Sequence, residues 1–276
     1  MADLYFSSTA GGDTSGDNSA CWFEDSAYTT PHNTVPTTGD NGLIYEGTCS
    51  GFSFNCDSVN IYAGVTLTSL TIAVPLIYNQ GTITTVGYGV TVTDNSSGSI
   101  IGSVSSGAVV TQNSSGASIT SNSGVVTNNN ASGTITTNAS GGSVTVNNGT
   151  ITTNAGSITT NNGTVGTNES GGTVGTNSNT VTTNDGTVTT NASGGTITTN
   201  ASGGTVTTNN GTVTTNASGG SVLANTGTVT TNNGNVRIGT ITGGSGTLFA
   251  AATTNLTNHT AGTNVTLPSG SGLTWW

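Results

Sequence analysis

Two stretches decide the fold. Thr150-Ile151-Thr152-Thr153-Asn154-Ala155-Gly156 is a seven-residue unit. Thr196-Ile197-Thr198-Thr199-Asn200-Ala201-Ser202-Gly203-Gly204 is the same unit with two residues inserted near its end. The aliphatic anchor of the unit recurs at Val110, Ile119, Val126, Ile135, Val144, Ile151, Ile158, Val165, Val174, Val181, Val188, Ile197, Val206, Val213, Val222, Val229 and Val236, always in steps of seven or nine. An asparagine stands three residues after every anchor from Val110 to Val229. The rhythm continues upstream in degenerate form through Leu67, Leu76, Ile83, Val92 and Ile101.

So short a period excludes helical repeats, which need about 33 to 47 residues per unit, and propeller blades. Thr and Val are β-branched and favour strands. Gly and Asn tolerate positive φ and suit corners. Each unit therefore reads as one short strand plus one corner. A lone short strand cannot bury its apolar side, but winding into coils stacks equivalent strands about 4.8 Å apart.

The expected fold is all-β, a single-stranded parallel β-solenoid (β-helix). Val165, Val174, Val181, Val188, Ile197, Val206 and Val213 are expected to line its interior. Asn168, Asn177, Asn184, Asn191, Asn200, Asn209 and Asn216 are expected to form hydrogen-bonded ladders, which satisfies amides otherwise buried unpaired. The extra Ser-Gly of the longer unit bulges outward without moving the strand. Three sides per coil, of 21 to 27 residues, are the expectation; two sides would give 14 to 18 residues, and a trimer of intertwined chains is the third arrangement.

Three regions follow: a cap or attachment segment at 1–52, the repeat domain at 53–242, and a C-terminal cap or docking segment at 243–276. Solenoid ends expose unpaired strand edges, so irregular flanks are natural caps. Trp22, Trp275 and Trp276 are candidate interface residues, tryptophan being a favoured interface anchor.

Composition narrows the function. Charged residues are 4% of the 276, against roughly 25% in an ordinary soluble domain. There is no lysine, Arg237 is the sole arginine, and the net charge is -10. One cation cannot neutralise a run of phosphates or anionic headgroups, which excludes nucleic acid and lipid surfaces as partners. Such composition can also mean disorder, but a disordered chain has no need of a strict aliphatic period. The opening shows neither a basic nor an apolar signal region, and no 18-residue apolar run exists, so synthesis in a cytoplasm is the expectation.

Chemistry-bearing residues are sparse. Cys21, Cys49 and Cys56 are odd in number and read as buried thiols, although a Cys49–Cys56 bridge is one alternative. His32 and His259 lie far apart, which leaves no metal set, no Ser-His-Asp or Cys-His arrangement and no cofactor motif. Glu169 and Asp185 hold equivalent positions two units apart, adjacent if the coil has two sides. They read as variable corner residues rather than as a glycosidase pair.

The residues flanking each anchor point outward in a strand. They give Thr-x-Thr rows at Thr180/Thr182, Thr187/Thr189, Thr205/Thr207 and Thr212/Thr214, interrupted at Gly166, Gly175 and Leu223. Such rows resemble those of insect antifreeze proteins, which would imply ice binding, although threonine is also simply the best neutral strand residue for a solvated face.

The opening resembles that of certain tailed-bacteriophage virion proteins and related β-solenoid surface proteins. The residues carrying the resemblance are Leu4-Tyr5-Phe6, Trp22, Val35-Pro36, Asp40, Leu43-Ile44-Tyr45, Cys56-Asp57-Ser58-Val59 and Leu67-Thr68-Ser69-Leu70-Thr71-Ile72. A second tryptophan usual in that pattern is absent or replaced by Phe23. The resemblance implies a capsid decoration, head fibre or tail fibre in the virion, with capsid or tail proteins, further copies of the chain and host-surface glycans as partners. A secreted or cell-surface adhesin or filament subunit is the alternative.

Overall fold

The structure is a computed structural model. It describes residues 2–8, 21–32, 34–49, 56–70, 76–237, 240–241, 247–249 and 265–266. The chain divides into two compact units, Met1–Gly149 and Thr150–Trp276, and each is a parallel β-solenoid.

In the first unit, one sheet stacks Asp3–Ser7, Asn41–Glu46, Ser58–Ile61, Leu76–Asn79, Thr91–Asn95, Val109–Asn113, Val125–Asn129 and Ser143–Asn147 in parallel. The other sheet stacks Thr48–Cys49, Thr66–Leu70, Thr82–Val86, Ile100–Val104, Ser118–Asn122 and Thr134–Asn138. In the second unit, one sheet runs from Ser157–Asn161 through Thr173–Asn177, Thr187–Asn191, Thr205–Asn209 and Ser221–Asn225 to Asn235–Arg237, Thr247–Phe249 and Val265–Thr266. Its other sheet runs from Thr150–Asn154 through Thr164–Asn168, Thr180–Asn184, Thr196–Asn200, Thr212–Asn216 and Thr228–Asn232 to Thr240–Ile241.

Every repeat strand pairs with the second strand along the chain, not the third. Ile151 aligns with Val165, Val165 with Val181, and Val188 with Val206. A coil is therefore two units, of 14, 16 or 18 residues, and the three-sided coil is corrected to two sides. Asparagines fasten the corners between the two sheets. Asn113 Nδ2 donates to the Thr134 carbonyl at 3.3 Å, and Asn184 Nδ2 to the Thr205 carbonyl at 3.3 Å. Each amide thus ties the end of one strand, around the corner, to the start of the strand that follows it one coil on.

The repeat strand also departs from simple alternation. Residues at the second and fifth positions are buried, while the third is mostly exposed, as in Thr180–Asn184. Strict alternation would turn the fifth residue outward. The ladder register pairs positions one, two, four and five, so the strand bends at its third residue and returns the asparagine to the interior.

Corners explain the glycines. In the nine-residue unit, Gly204 N donates to the Ala201 carbonyl at 3.0 Å, and Gly203 between them has a φ of +89°. That is a type II turn, whose third residue requires positive φ. A Cβ on Gly204 would run into the Asn184 carbonyl oxygen of the preceding coil. The pair is needed, one glycine for conformation and the other for close approach.

At its N-terminal end, the parallel stacking starts before residue 53, since Asp3–Ser7 and Asn41–Glu46 already pair in parallel. Trp22–Phe23 adds to the outer edge of Asp3–Ser7 in antiparallel sense, aligning Phe6 with Trp22. Trp22 is fully buried and meets Phe6 edge-on at 5.4 Å. It is a core residue of the cap, which corrects its reading as a surface anchor. Trp275 and Trp276 lie outside the described residues.

Candidate functional surfaces

The interior comes first because it absorbs most of the side chains singled out in the sequence. Val165, Val174, Val181, Val188, Ile197, Val206 and Val213 are each 0% exposed. Burying a valine or isoleucine contributes about 1.5–3 kcal/mol. Asn168, Asn177, Asn184, Asn191, Asn200, Asn209 and Asn216 are equally buried.

In the second unit, Nδ2 of each asparagine donates to Oδ1 of the next coil's asparagine. One ladder runs Asn154, Asn168, Asn184, Asn200, Asn216, Asn232 at 2.7–2.8 Å. The other runs Asn161, Asn177, Asn191, Asn209, Asn225 at 2.6–2.8 Å. In the first unit a ladder already starts at Asn79 and passes through Asn95 to Asn113, Asn129 and Asn147. Asn79 and Asn95 escaped the sequence reading, yet they stand three residues after Leu76 and Val92, the same offset as the rest.

Each ladder has a direction. At the start of the first unit's ladders, Oδ1 accepts a corner N–H: Gly81 N to Asn79 at 3.1 Å, Gly124 N to Asn122 at 3.2 Å. In the second unit, Asn225 Nδ2 and Asn232 Nδ2, the last of the two ladders, are buried without a hydrogen-bond partner among the described residues.

The outer faces are threonine arrays. On one sheet of the second unit the first column reads Thr150, Thr164, Thr180, Thr196, Thr212, Thr228 without a break. The facing sheet is less regular, with Ser157, Ser221, Leu223 and Ala224 among its threonines.

Because the coil has two sides, Glu169 and Asp185 follow directly on the paired residues Asn168 and Asn184 and are neighbours along one corner. They line a notch of about 570 Å³ with Thr167, Ser170, Ser202 and Gly203. Glu169 is exposed and Asp185 half-buried.

Among the described residues, no group of three or more His, Cys, Asp or Glu side chains is placed to hold a metal ion. None of their helices is long and apolar enough to cross a membrane. All three cysteines are buried. Cys56 is a free thiol that burial pushes up to about 11, so the Cys49–Cys56 bridge is not formed.

A different chemistry collects at the N-terminal end of the first unit. Tyr5 stacks on Tyr45 with ring centroids 5.7 Å apart, and Tyr45 stacks on Tyr62 at 3.7 Å. The hydrogen bond with Tyr45, together with burial, pushes Tyr62 up to about 12. Beside Tyr5 lies a cleft of about 440 Å³ lined also by Ala2, Asp3, Leu4, Glu24 and His32. Glu24 Oε1 is 3.2 Å from His32 Nδ1. The tyrosines are far apart in sequence and follow no period, so nothing in the sequence singled them out as a group.

Asp25 closes the neighbouring loop. Its carboxylate accepts from Ala27 N at 2.9 Å, Thr29 N at 3.2 Å, Thr29 Oγ1 at 3.1 Å and Thr30 N at 2.8 Å. Asp40 likewise accepts from Thr37 N at 3.0 Å and Thr37 Oγ1 at 2.9 Å.

Comparison of the chain with known protein families, curated proteins and solved structures finds no match.

Proposed function

We propose that this chain is a non-enzymatic structural protein of a bacteriophage particle, a capsid decoration, head fibre or tail fibre. The observation that carries the structural part is how side chains are allotted. In the second unit the inward positions of the full repeat strands are taken up by aliphatic columns and asparagine ladders, and the outward ones are mostly neutral threonines. Such a chain builds extent and a hydrated surface. The phage part is supported by the resemblance of the opening, from Leu4-Tyr5-Phe6 to the Leu67–Ile72 stretch.

The test is mass spectrometry and immunogold labelling of purified particles. Label on the capsid or tail supports the reading. Protein found on the cell envelope or in particle-free supernatant would replace it with the adhesin or filament reading.

One observation favours a second reading, ice binding: the unbroken column Thr150 to Thr228 on one sheet of the second unit. Thermal hysteresis in purified protein, abolished by Thr182→Tyr and Thr198→Tyr together, would support it. Its absence in the unmodified protein would end it.

A further inference from the structure

The cleft at the N-terminal end of the first unit is unlike the rest of the surface. It brings two carboxylates, Asp3 and Glu24, into one cleft with half-buried Tyr5, the first ring of a tyrosine stack. Other acids nearby serve their own loops: Asp25 and Asp40 hold backbone N–H groups, and Asp57 accepts from Gly39 N at 3.0 Å. Asp3 and Glu24 are less committed. Asp3 Oδ1 takes one hydrogen bond from Asn41 Nδ2 at 2.8 Å, and Glu24 Oε1 shares one with His32. Both residues are exposed. Residues 1–149 contain no lysine or arginine, so this unit has no lysine or arginine side chain to set against them.

Carboxylates beside a tyrosine ring are the surroundings a guanidinium prefers. It can bond planar carboxylates and lie against an aromatic face at once. An ammonium fits less well, being a compact and strongly hydrated charge. We propose that this cleft docks an arginine-bearing segment of a partner protein, the guanidinium held by Asp3 and Glu24 against Tyr5. The inference rests on the reading of the chain as part of a larger assembly, and it identifies the partner's chemistry.

The probes are fluorescent hexa-arginine, hexa-lysine and neutral Gly-Ser peptides, titrated by anisotropy into the full-length chain at low ionic strength. Hexa-arginine should bind more tightly than hexa-lysine, and the neutral peptide should not bind. Asp3→Asn with Glu24→Gln should weaken hexa-arginine binding roughly five- to tenfold, the worth of two exposed charge pairs. Asp185→Asn, in the other unit, should leave it unchanged. Added salt should weaken it, since both carboxylates are exposed. Far-UV circular dichroism confirms that each variant keeps its strands.

Equal loss in Asp185→Asn would mean diffuse attraction to net charge and would overturn the proposal. So would binding that the paired substitution leaves intact, or no preference for arginine over the neutral peptide. The outcome is separable from the particle experiment. Peptide binding by a protein absent from virions would retain the cleft and reject the phage reading. A virion protein without peptide binding would do the reverse.

Discussion

Asn184 Nδ2 donates to Asn200 Oδ1 at 2.7 Å along the stack and to the Thr205 carbonyl at 3.3 Å across it. One amide therefore fastens successive coils along the stack and the corner between the two sheets, on top of the backbone ladders that set the coil spacing. The aliphatic columns add burial, which is non-directional, whereas the amide adds a directed bond inside the coil.

Position in the ladder should decide the cost of losing an asparagine. Asn200 accepts from Asn184 and donates to Asn216, to the Gly204 carbonyl and to the Ser221 carbonyl. Asn200→Ala strands several buried polar groups and should destabilise by about 3–5 kcal/mol. Among the described residues Asn232 only accepts, from Asn216 and from Gly234 N, and its Nδ2 has no partner. Asn232→Ala should cost about 1–2 kcal/mol. Denaturant unfolding of both variants checks the order, and equal costs would mean the ladders do not act as directional chains.

Corner conformation offers a stabilising change. Ser132 occupies the turn position that is glycine in the other four-residue corners, and its φ is +63°. It is exposed, so its side chain has little packing to lose. The left-handed region costs a non-glycine residue about 1–2 kcal/mol, part of which glycine's freer unfolded state returns. Ser132→Gly should therefore stabilise by about 0.5–1 kcal/mol. The converse is Gly203→Ala, where a Cβ meets no atom within 4 Å and only backbone strain is added. It should cost about 1 kcal/mol. Thermal melting of the two variants in opposite directions is the expected result.

The Glu169–Asp185 adjacency should be mildly unfavourable, because like charges on neighbouring strands repel. Glu169→Gln should raise stability by about 0.2–0.5 kcal/mol at low salt, a gain that vanishes as salt screens the exposed pair. A fall in stability would show that the two carboxylates share a bound cation.

The repeat's period, strand, corner and interior were legible because each is local. A β-branched anchor, an asparagine three residues on and a glycine before the next strand recur within nine residues, as Thr196–Gly204 shows. The number of sides was not legible. Pairing Val165 with Val181 rather than with a strand three units on depends on how sharply each corner turns the chain, and the same seven- and nine-residue units serve either count. The N-terminal cleft was hidden as well. Asp3, Tyr5, Glu24 and His32 meet only because Asp3–Ser7 takes the outermost parallel rung and Trp22–Phe23 folds back against it. Trp22 misled because an isolated tryptophan in a polar stretch looks like an interface residue, when Phe6 and Gly42 enclose it.

Acid should loosen the cap at its Asp25 loop before it reaches the repeats. Partial desolvation pushes this carboxyl up, but the hydrogen bonds from Thr29 and Thr30 outweigh it and hold the pKa at about 2, against 3.8 ordinarily. A group whose folded pKa is depressed favours the folded loop above its unfolded pKa, and that contribution fades as pH falls through the folded value. The window here runs from about 3.8 down to about 2. The same loop holds Tyr28 at a φ of +57°, a conformation that a bulky residue keeps only when its surroundings impose it. Amide exchange at Ala27, Thr29 and Thr30 should therefore accelerate, relative to the intrinsic rate, across that window. The ladder corners, held by neutral amides, should keep their protection. Asp25→Asn should show fast exchange in the loop already at neutral pH and lose the acid dependence. A loop equally protected in the variant would mean that Phe23, which packs on Tyr28 at 5.5 Å, holds it without the carboxylate.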